Sequence, residues 1–224
     1  MQRFPDRDTL AEAVTDVLAG ALAGTGARSL VVTGGGTPGP VYDRLSARDL
    51  AWESVAVTLS DERLVDGDAD QSNERLVRQR LLTGQAAGAR FVPLRAGGAT
   101  PEADAEAAEA ALRTLLPWSA VLLGVGEDGH IASLFPGDPD LAARLDPGGE
   151  RLCVGVPRAG LAPFVPRISL TLAALLRTPL VVLMITGQAK RALVERARAD
   201  PAAAPPLAAI LRQDRAPVRV LWAP

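Results

Sequence analysis

One histidine and one cysteine are all that this 224-residue chain contains of those two residue types, and each scarcity narrows its chemistry. The lone cysteine, Cys153, excludes an internal disulfide, and its setting in Leu152-Cys153-Val154 reads as a buried strand thiol more than a nucleophile. A single histidine without a cysteine cluster offers no usual transition-metal set and leaves open only a site made of oxygen ligands, so no metal is implied, and no cofactor is expected. No apolar run reaches the roughly 18 residues that span a bilayer, and Met1-Gln2-Arg3-Phe4-Pro5-Asp6 carries no signal core. The expectation is a cytoplasmic chain with no membrane partner. Charge of neither sign dominates: 24 basic and 26 acidic residues are interspersed, for a formal net charge of -2. That argues against a nucleic-acid partner, which would call for a basic stripe, but leaves room for a local basic pocket around an anionic ligand. All the basic residues except Lys190 are arginine, which together with abundant alanine points to coding bias.

What is present is apolar and regular. With 48% hydrophobic residues and no Ser/Pro/Gly-rich linker or charge block, residues 1–224 are expected to form a single domain, burying roughly 70–75% of the unfolded surface. Thr9-Leu10-Ala11-Glu12 has capping-box spacing, followed by an amphipathic helix ending near Gly24. Ser29 to Thr33 is an apolar, β-branched run, the pattern of a strand covered on both faces. Trp52–Leu59, Phe91–Leu94, Ala120–Leu123, Leu152–Val156, Leu180–Ile185 and Val218–Trp222 read as further strands. Between them, Ser72 caps a helix running to about Leu82, and Thr100-Pro101 opens an alanine-rich helix to about Leu116. Arg167 to Leu172 is expected to open another helix, with Ser169 as its cap, and a helix follows Thr186-Gly187 to about Ala199. This alternation, without internal repeats, predicts an α/β fold: a mostly parallel open sheet with helices on both faces.

The chemistry gathers around the stretch Gly124-Val125-Gly126-Glu127-Asp128-Gly129-His130-Ile131-Ala132-Ser133-Leu134-Phe135-Pro136-Gly137. His130 is the one side chain able to accept and then donate a proton near neutral pH; taken alone, a loop histidine that only hydrogen-bonds backbone is the commoner case. Gly34-Gly35-Gly36-Thr37-Pro38 follows a strand, so its backbone can turn N–H groups toward an anion while Thr37 caps the next helix and Pro38 enters its first turn. An ordinary strand-to-helix turn needs fewer glycines. The run has neither P-loop spacing nor a dinucleotide fingerprint. Ser60-Asp61-Glu62-Arg63 lies where a strand should end, the place where parallel sheets collect ligands, although a solvated turn would look the same.

With these residues laid out, the chain resembles the glucosamine-6-phosphate isomerase/6-phosphogluconolactonase family over nearly its whole length. The resemblance rests on Gly34-Gly35-Gly36-Thr37-Pro38, Asp61-Glu62-Arg63 with Ser72-Asn73, the Asp128-Gly129-His130-x-Ala132-Ser133-Leu134-Phe135-Pro136-Gly137 loop, Arg167-Ile168-Ser169-Leu170 and Gly187-x-x-Lys190. Within the family the lactonases are the better match. The deaminase loop typically continues Ala-Phe-Asn-Glu-Pro and supplies a further carboxylate for ring opening, which Ala132 to Pro136 does not, and the deaminase lacks the arginine at the place of Arg63. Pro163-Phe164-Val165-Pro166-Arg167 departs from the more proline-rich approach usual before this arginine.

The resemblance implies a sugar-phosphate isomerase-like, modified Rossmann-type three-layer fold and hydrolysis of 6-phospho-D-glucono-1,5-lactone in the oxidative pentose phosphate pathway. It implies His130 as general base and then acid, oriented by Asp128 (Glu127 is the other acid within reach), with Arg63 facing either the phosphate or the developing oxyanion. The phosphate is assigned to the backbone of Gly35, Gly36 and Thr37, with Arg167 and Lys190. Asp61, Glu62, Ser72, Asn73, Gly129 and Ser133 complete the expected substrate-binding set. The expected partner is a small-molecule sugar-phosphate lactone, and the expected assembly a monomer or weak homo-oligomer. The rivals are an isomerase or deaminase on the same fold and a sugar-phosphate-sensing module. The α/β pattern takes up the whole chain and leaves the second no DNA-binding segment.

Overall fold

A computed structural model describes residues 1–158, 160 and 164–224; Pro163, in the segment before Arg167, lies outside the described residues. After a short strand β1 (Gln2–Arg3), helix α1 (Arg7–Leu22) is capped three residues before the expected cap Thr9, because the Asp6 carboxylate accepts from Thr9 N at 2.7 Å. Strand β2 (Arg28–Val32) leads through the glycine run to α2 (Gly39–Ser46). Here too the expected cap is displaced: Thr37 stays exposed, Pro38 occupies the cap position with no side-chain bond, and Pro40 sits in the first turn. The carbonyl of Pro38 accepts from Val41 N and Tyr42 N, which starts the helix later than Thr37 would have done.

Strand β3 (Val55–Leu59) runs directly into β4 (Asp61–Arg63). Then come α3 (Asn73–Arg80), capped by Ser72 as expected, β5 (Arg90–Val92), α4 (Pro101–Arg113), capped by Thr100, β6 (Ala120–Leu123) and α5 (Leu141–Arg144). The last part holds β7 (Cys153–Val156), β8 (Arg167–Leu170), α6 (Leu172–Leu175), β9 (Val181–Thr186), α7 (Gln188–Ala199), α8 (Pro205–Arg212) and β10 (Val218–Ala223).

Seven strands form one sheet in the order β1-β10-β9-β6-β2-β3-β5, every neighbouring pair parallel. In β3 and β6 every residue is buried, so both faces of the sheet are covered, as the continuous apolar runs required. Most of the buried apolar side chains from Leu10 to Ala223 join in one cluster, with Phe135 and Val156 packed apart from it. Among the described residues no helix is long and apolar enough to cross a membrane.

A second, antiparallel sheet, β4-β8-β7, was not anticipated, and it corrects the reading of Arg167–Leu172 as a helix. Ser169 caps nothing: it sits in the middle strand, paired with Asp61 on one side and Val154 on the other, while Thr171 caps α6 by accepting from Ala174 N at 3.1 Å. Local cap chemistry was right in kind and two residues early. Pairing on both edges satisfies the backbone of β8 and overrides any helical tendency.

Candidate active site

Chain order places the site. From β2 the sheet grows one way through β3 and β5, and the later strands β6, β9 and β10 extend it the other way, so the direction reverses between β2 and β6. Open parallel sheets bind ligands outside the carboxyl ends of strands at such a reversal. A cleft of about 280 Å³ opens there, with walls from Thr33 and the glycine run after β2, Leu123 and Gly124 at the end of β6, and Thr186 at the end of β9. A larger cavity, about 750 Å³, lies at the opposite ends of the strands around Arg28, Val55 and Leu180. It brings together two arginines and Glu53 but no histidine; the one histidine of the chain is in the smaller cleft.

His130 lines that cleft. Its Nδ1 lies 2.6 Å from Asp128 Oδ1, and the same oxygen accepts the His130 backbone N–H at 3.1 Å. Burial pushes the Asp128 carboxyl upward, but the hydrogen bond and charge of His130 outweigh it and hold the carboxyl below its ordinary range. An ionised Asp128 can only accept, which assigns the ring proton to Nδ1 and leaves Nε2 with its lone pair. Of the two acids in the loop, Asp128 is the one that bonds the ring. It stands behind the ring and does not itself line the cleft. Two further constraints fix the imidazole: Phe135 packs on it with ring centroids 4.7 Å apart, and a Cβ on Gly126 would fall 2.0 Å from His130 Nδ1. Ala132, also on the wall, holds a left-handed backbone with φ of 48°, a conformation uncommon outside glycine, asparagine and aspartate.

Three cations and one carboxylate, Asp61, share the cleft with His130. Arg63 and Arg167 are direct partners in the β4–β8 register. Burial and the neighbouring Arg63 charge both lower the Arg167 pKa. One amino group of Arg63 donates to the Gln71 carbonyl, and its Nε is buried without a partner among the described residues. Arg167 donates from Nε to Val165 O at 3.2 Å and lies over the Phe135 ring at 5.8 Å. Lys190 reaches the cleft from the first turn of α7. Gly35, Gly36 and Thr37 form the facing wall, together with Asn73.

The other expected residues stand one step back. Glu62 is buried and does not line the cleft. Its carboxylate accepts from the backbone N–H groups of Asn73 (2.8 Å), Glu74 (2.7 Å) and Arg63 (2.6 Å) and from Ser72 Oγ (3.1 Å). Burial raises its pKa, against those bonds, which lower it; Glu62 and Ser72 thus hold the start of α3 in place. Ser133 Oγ donates to Asp61 Oδ2 at 2.7 Å, and Ser133 N donates to Ser169 Oγ at 3.1 Å, tying the histidine loop to both β4 and β8. Gly129, with φ of 86°, packs where a Cβ would strike Ala204 at 2.5 Å. Asn73 Nδ2 donates to Asp61 O at 2.8 Å, and its amide lies so close to Gly34 that a Cβ there would be 1.8 Å from Oδ1. Two residues of the sequence went unassigned. Thr186 lines the cleft, and the buried Tyr42 bonds through its hydroxyl to both N–H and C=O of Thr33, just before the glycine run. A lone tyrosine beside a glycine-rich turn was the available signal.

Comparison with known proteins gives a consistent result. Residues 7–222 match the family model described as glucosamine-6-phosphate isomerases/6-phosphogluconolactonase. A 6-phosphogluconolactonase of Caulobacter vibrioides is 49% identical over 227 residues, covering 100% of this chain and 97% of that one. Another from Mesorhizobium japonicum is 43% identical, covering 99% and 94%. A crystal structure of a 6-phosphogluconolactonase from Shewanella baltica superposes with a TM-score of 0.91 at 35% identity, covering 100% and 97%.

Proposed function

The chain belongs to the glucosamine-6-phosphate isomerase/6-phosphogluconolactonase family, and on that footing we propose that it is a lactone hydrolase converting 6-phospho-D-glucono-1,5-lactone to 6-phospho-D-gluconate, the second step of the oxidative pentose phosphate pathway. The observation that carries the reading is the cleft itself, in which a histidine oriented by a carboxylate shares about 280 Å³ with Arg63, Arg167 and Lys190.

A six-membered lactone presents an electrophilic carbonyl, so hydrolysis needs an activated water and a proton for the departing ring oxygen. His130 Nε2 takes a proton from water as its oxygen adds to the carbonyl carbon. Asp128 steadies the imidazolium that results, the part an acid plays beside other catalytic histidines. As the tetrahedral intermediate collapses, the bond from that carbon to the ring oxygen breaks and His130 returns the proton to that oxygen. Such acid–base assistance is worth about 10²–10⁴-fold in rate.

The phosphoryl group is held by Arg167, Lys190 and the backbone of Gly35, Gly36 and Thr37, with Arg63 joining from the opposite strand. Two guanidinium groups in register favour a ligand whose negative charge is present in the ground state. A phosphoryl group meets that need, and guanidinium forks match its oxygens. Asn73 and Asp61 are left to the sugar hydroxyls. The test is loss of 6-phosphogluconolactone above the spontaneous rate, for the native chain and for His130→Ala side by side. A large acceleration that disappears in the folded variant supports the reading. No acceleration by the native chain overturns it, and acceleration surviving the substitution removes His130 from the mechanism.

A further inference from the structure

Gly187 joins β9 to α7 with φ of 84° and ψ of 158°, a region of backbone space that is essentially glycine's alone and persists only where its surroundings over-determine it. What over-determines it here is β10. Gly187 N donates to Ala223 O at 2.9 Å, and the indole Nε1 of Trp222 donates to Gly187 O at 2.9 Å. The two strands run in register, Trp222 beside Ile185 and Ala223 beside Thr186. Trp222 is buried, and its ring face carries the guanidinium of Arg191 at 5.1 Å, so the indole is gripped from the helix side as well. Among the described residues no side chain caps the start of α7. Thr186, just before the clamped glycine, and Lys190, one turn after it, both line the cleft, whereas Trp222 does not touch it.

We propose that Trp222 is a positioning residue for substrate recognition: its indole N–H fixes the Gly187 hinge and so sets where Lys190 meets the substrate's phosphoryl group. This rests on the assignment of Lys190 to the phosphate made above. Loss of the clamp relaxes the hinge and lets the first turn of α7 shift. Binding of the phosphoryl end weakens while the His130–Asp128 pair, carried by the loop after β6, keeps its geometry. Gly187 O also accepts from Arg191 N at 3.3 Å, so removing the indole donor does not leave that carbonyl alone.

The experiment compares KM and kcat on 6-phosphogluconolactone and on unphosphorylated glucono-1,5-lactone, for Trp222→Phe, Gly187→Ala, Lys190→Met and Trp118→Phe. Trp222→Phe retains the ring over which Arg191 lies. Gly187→Ala strains the hinge through its φ alone, since an added Cβ would meet no atom within 4 Å, and serves as the second probe of the same hinge. Trp118→Phe deletes a comparable buried indole bond, to Ala174 O at 2.7 Å, far from the hinge in sequence and outside the cleft lining. The expected result is a rise of about three- to tenfold in KM for the phosphorylated lactone in Trp222→Phe and Gly187→Ala, the worth of one hydrogen bond. Their kcat moves less than KM, and KM for the unphosphorylated lactone moves less than that for the phosphorylated one; Trp118→Phe gives no such split. If Lys190→Met raises KM and neither hinge variant does, Trp222 is only structural and the proposal fails. If Lys190→Met leaves KM unmoved as well, the phosphate assignment itself has failed and takes the proposal with it.

Discussion

Arg63 and Arg167 stand opposite each other across the antiparallel pair β4–β8, two guanidinium groups in register on the wall of one cleft. Like charges directly opposite on a sheet oppose folding, a cost that an anion bound between the two would offset. Arg167→Met should therefore leave the thermal midpoint of the unliganded protein level or slightly raised while increasing KM for 6-phosphogluconolactone about 10- to 100-fold, the range of a charge-assisted bond. Inorganic phosphate should raise the native midpoint more than that of the variant. A variant that unfolds early with unchanged KM would show the pair to be structural.

Gly126 is the closest constraint on the imidazole. An added methyl would fall 2.0 Å from His130 Nδ1 and 2.7 Å from Asp128 Oδ1, so Gly126→Ala must displace one or both. The expected outcome is a fall in kcat of about 10²-fold or more in a protein whose circular dichroism is native. KM, set at the phosphoryl end, should move much less.

Asp128 gives a pH signature. Its carboxyl is held below the ordinary value of 3.8 in the folded chain, so between the two values the unfolded chain binds more protons. The stabilisation from the His130 pair is complete above the unfolded value and disappears as pH falls through the folded one. Acid titration of the native protein should show that extra loss below about pH 4, and Asp128→Asn should show a shallower limb. Equal slopes for the two proteins would contradict the assignment.

Tyr42 anchors the start of the glycine run, because its hydroxyl serves both backbone groups of Thr33. Tyr42→Phe leaves that donor and that acceptor without their partner, at about 1–3 kcal/mol of stability. Urea unfolding measures this, and a concurrent rise in KM would show that the run must be held to bind the phosphoryl group.

What could be read from the residues was what neighbours in sequence decide. The apolar runs at Ser29–Thr33 and Leu180–Ile185 were visible as strands covered on both faces, and Ser72 and Thr100 as caps, because each depends on a few adjacent side chains. Arg167–Leu170 was misread because its strand identity comes from Asp61–Arg63 and Cys153–Val156, partners no local pattern announces. Glu62 looked like surface charge or a substrate ligand. It turned out to be the acceptor for three backbone N–H groups, a role that depends on where α3 begins in space. Membership of the cleft was legible for His130, Asp61, Arg63 and the glycine run. The indole of Trp222 on Gly187 was not, since nothing in Val218–Trp222 says which carbonyl its ring meets.

The small sheet crosses the seam of the large one: β4 continues from β3 on one side of the reversal, and β8 and β7 belong to the chain that builds the other side. Its β4–β8 pair is thus a stitch between two halves, and the stitch carries the two opposed arginines. An anion seated there would be mortar as well as cargo, since it would offset the repulsion between the two guanidinium groups that face each other across β4 and β8. Substrate and product would then tighten the very joint that shapes their own pocket, and the backbone amides of Asp61–Arg63 and Arg167–Leu170 would be where hydrogen exchange slows most on binding.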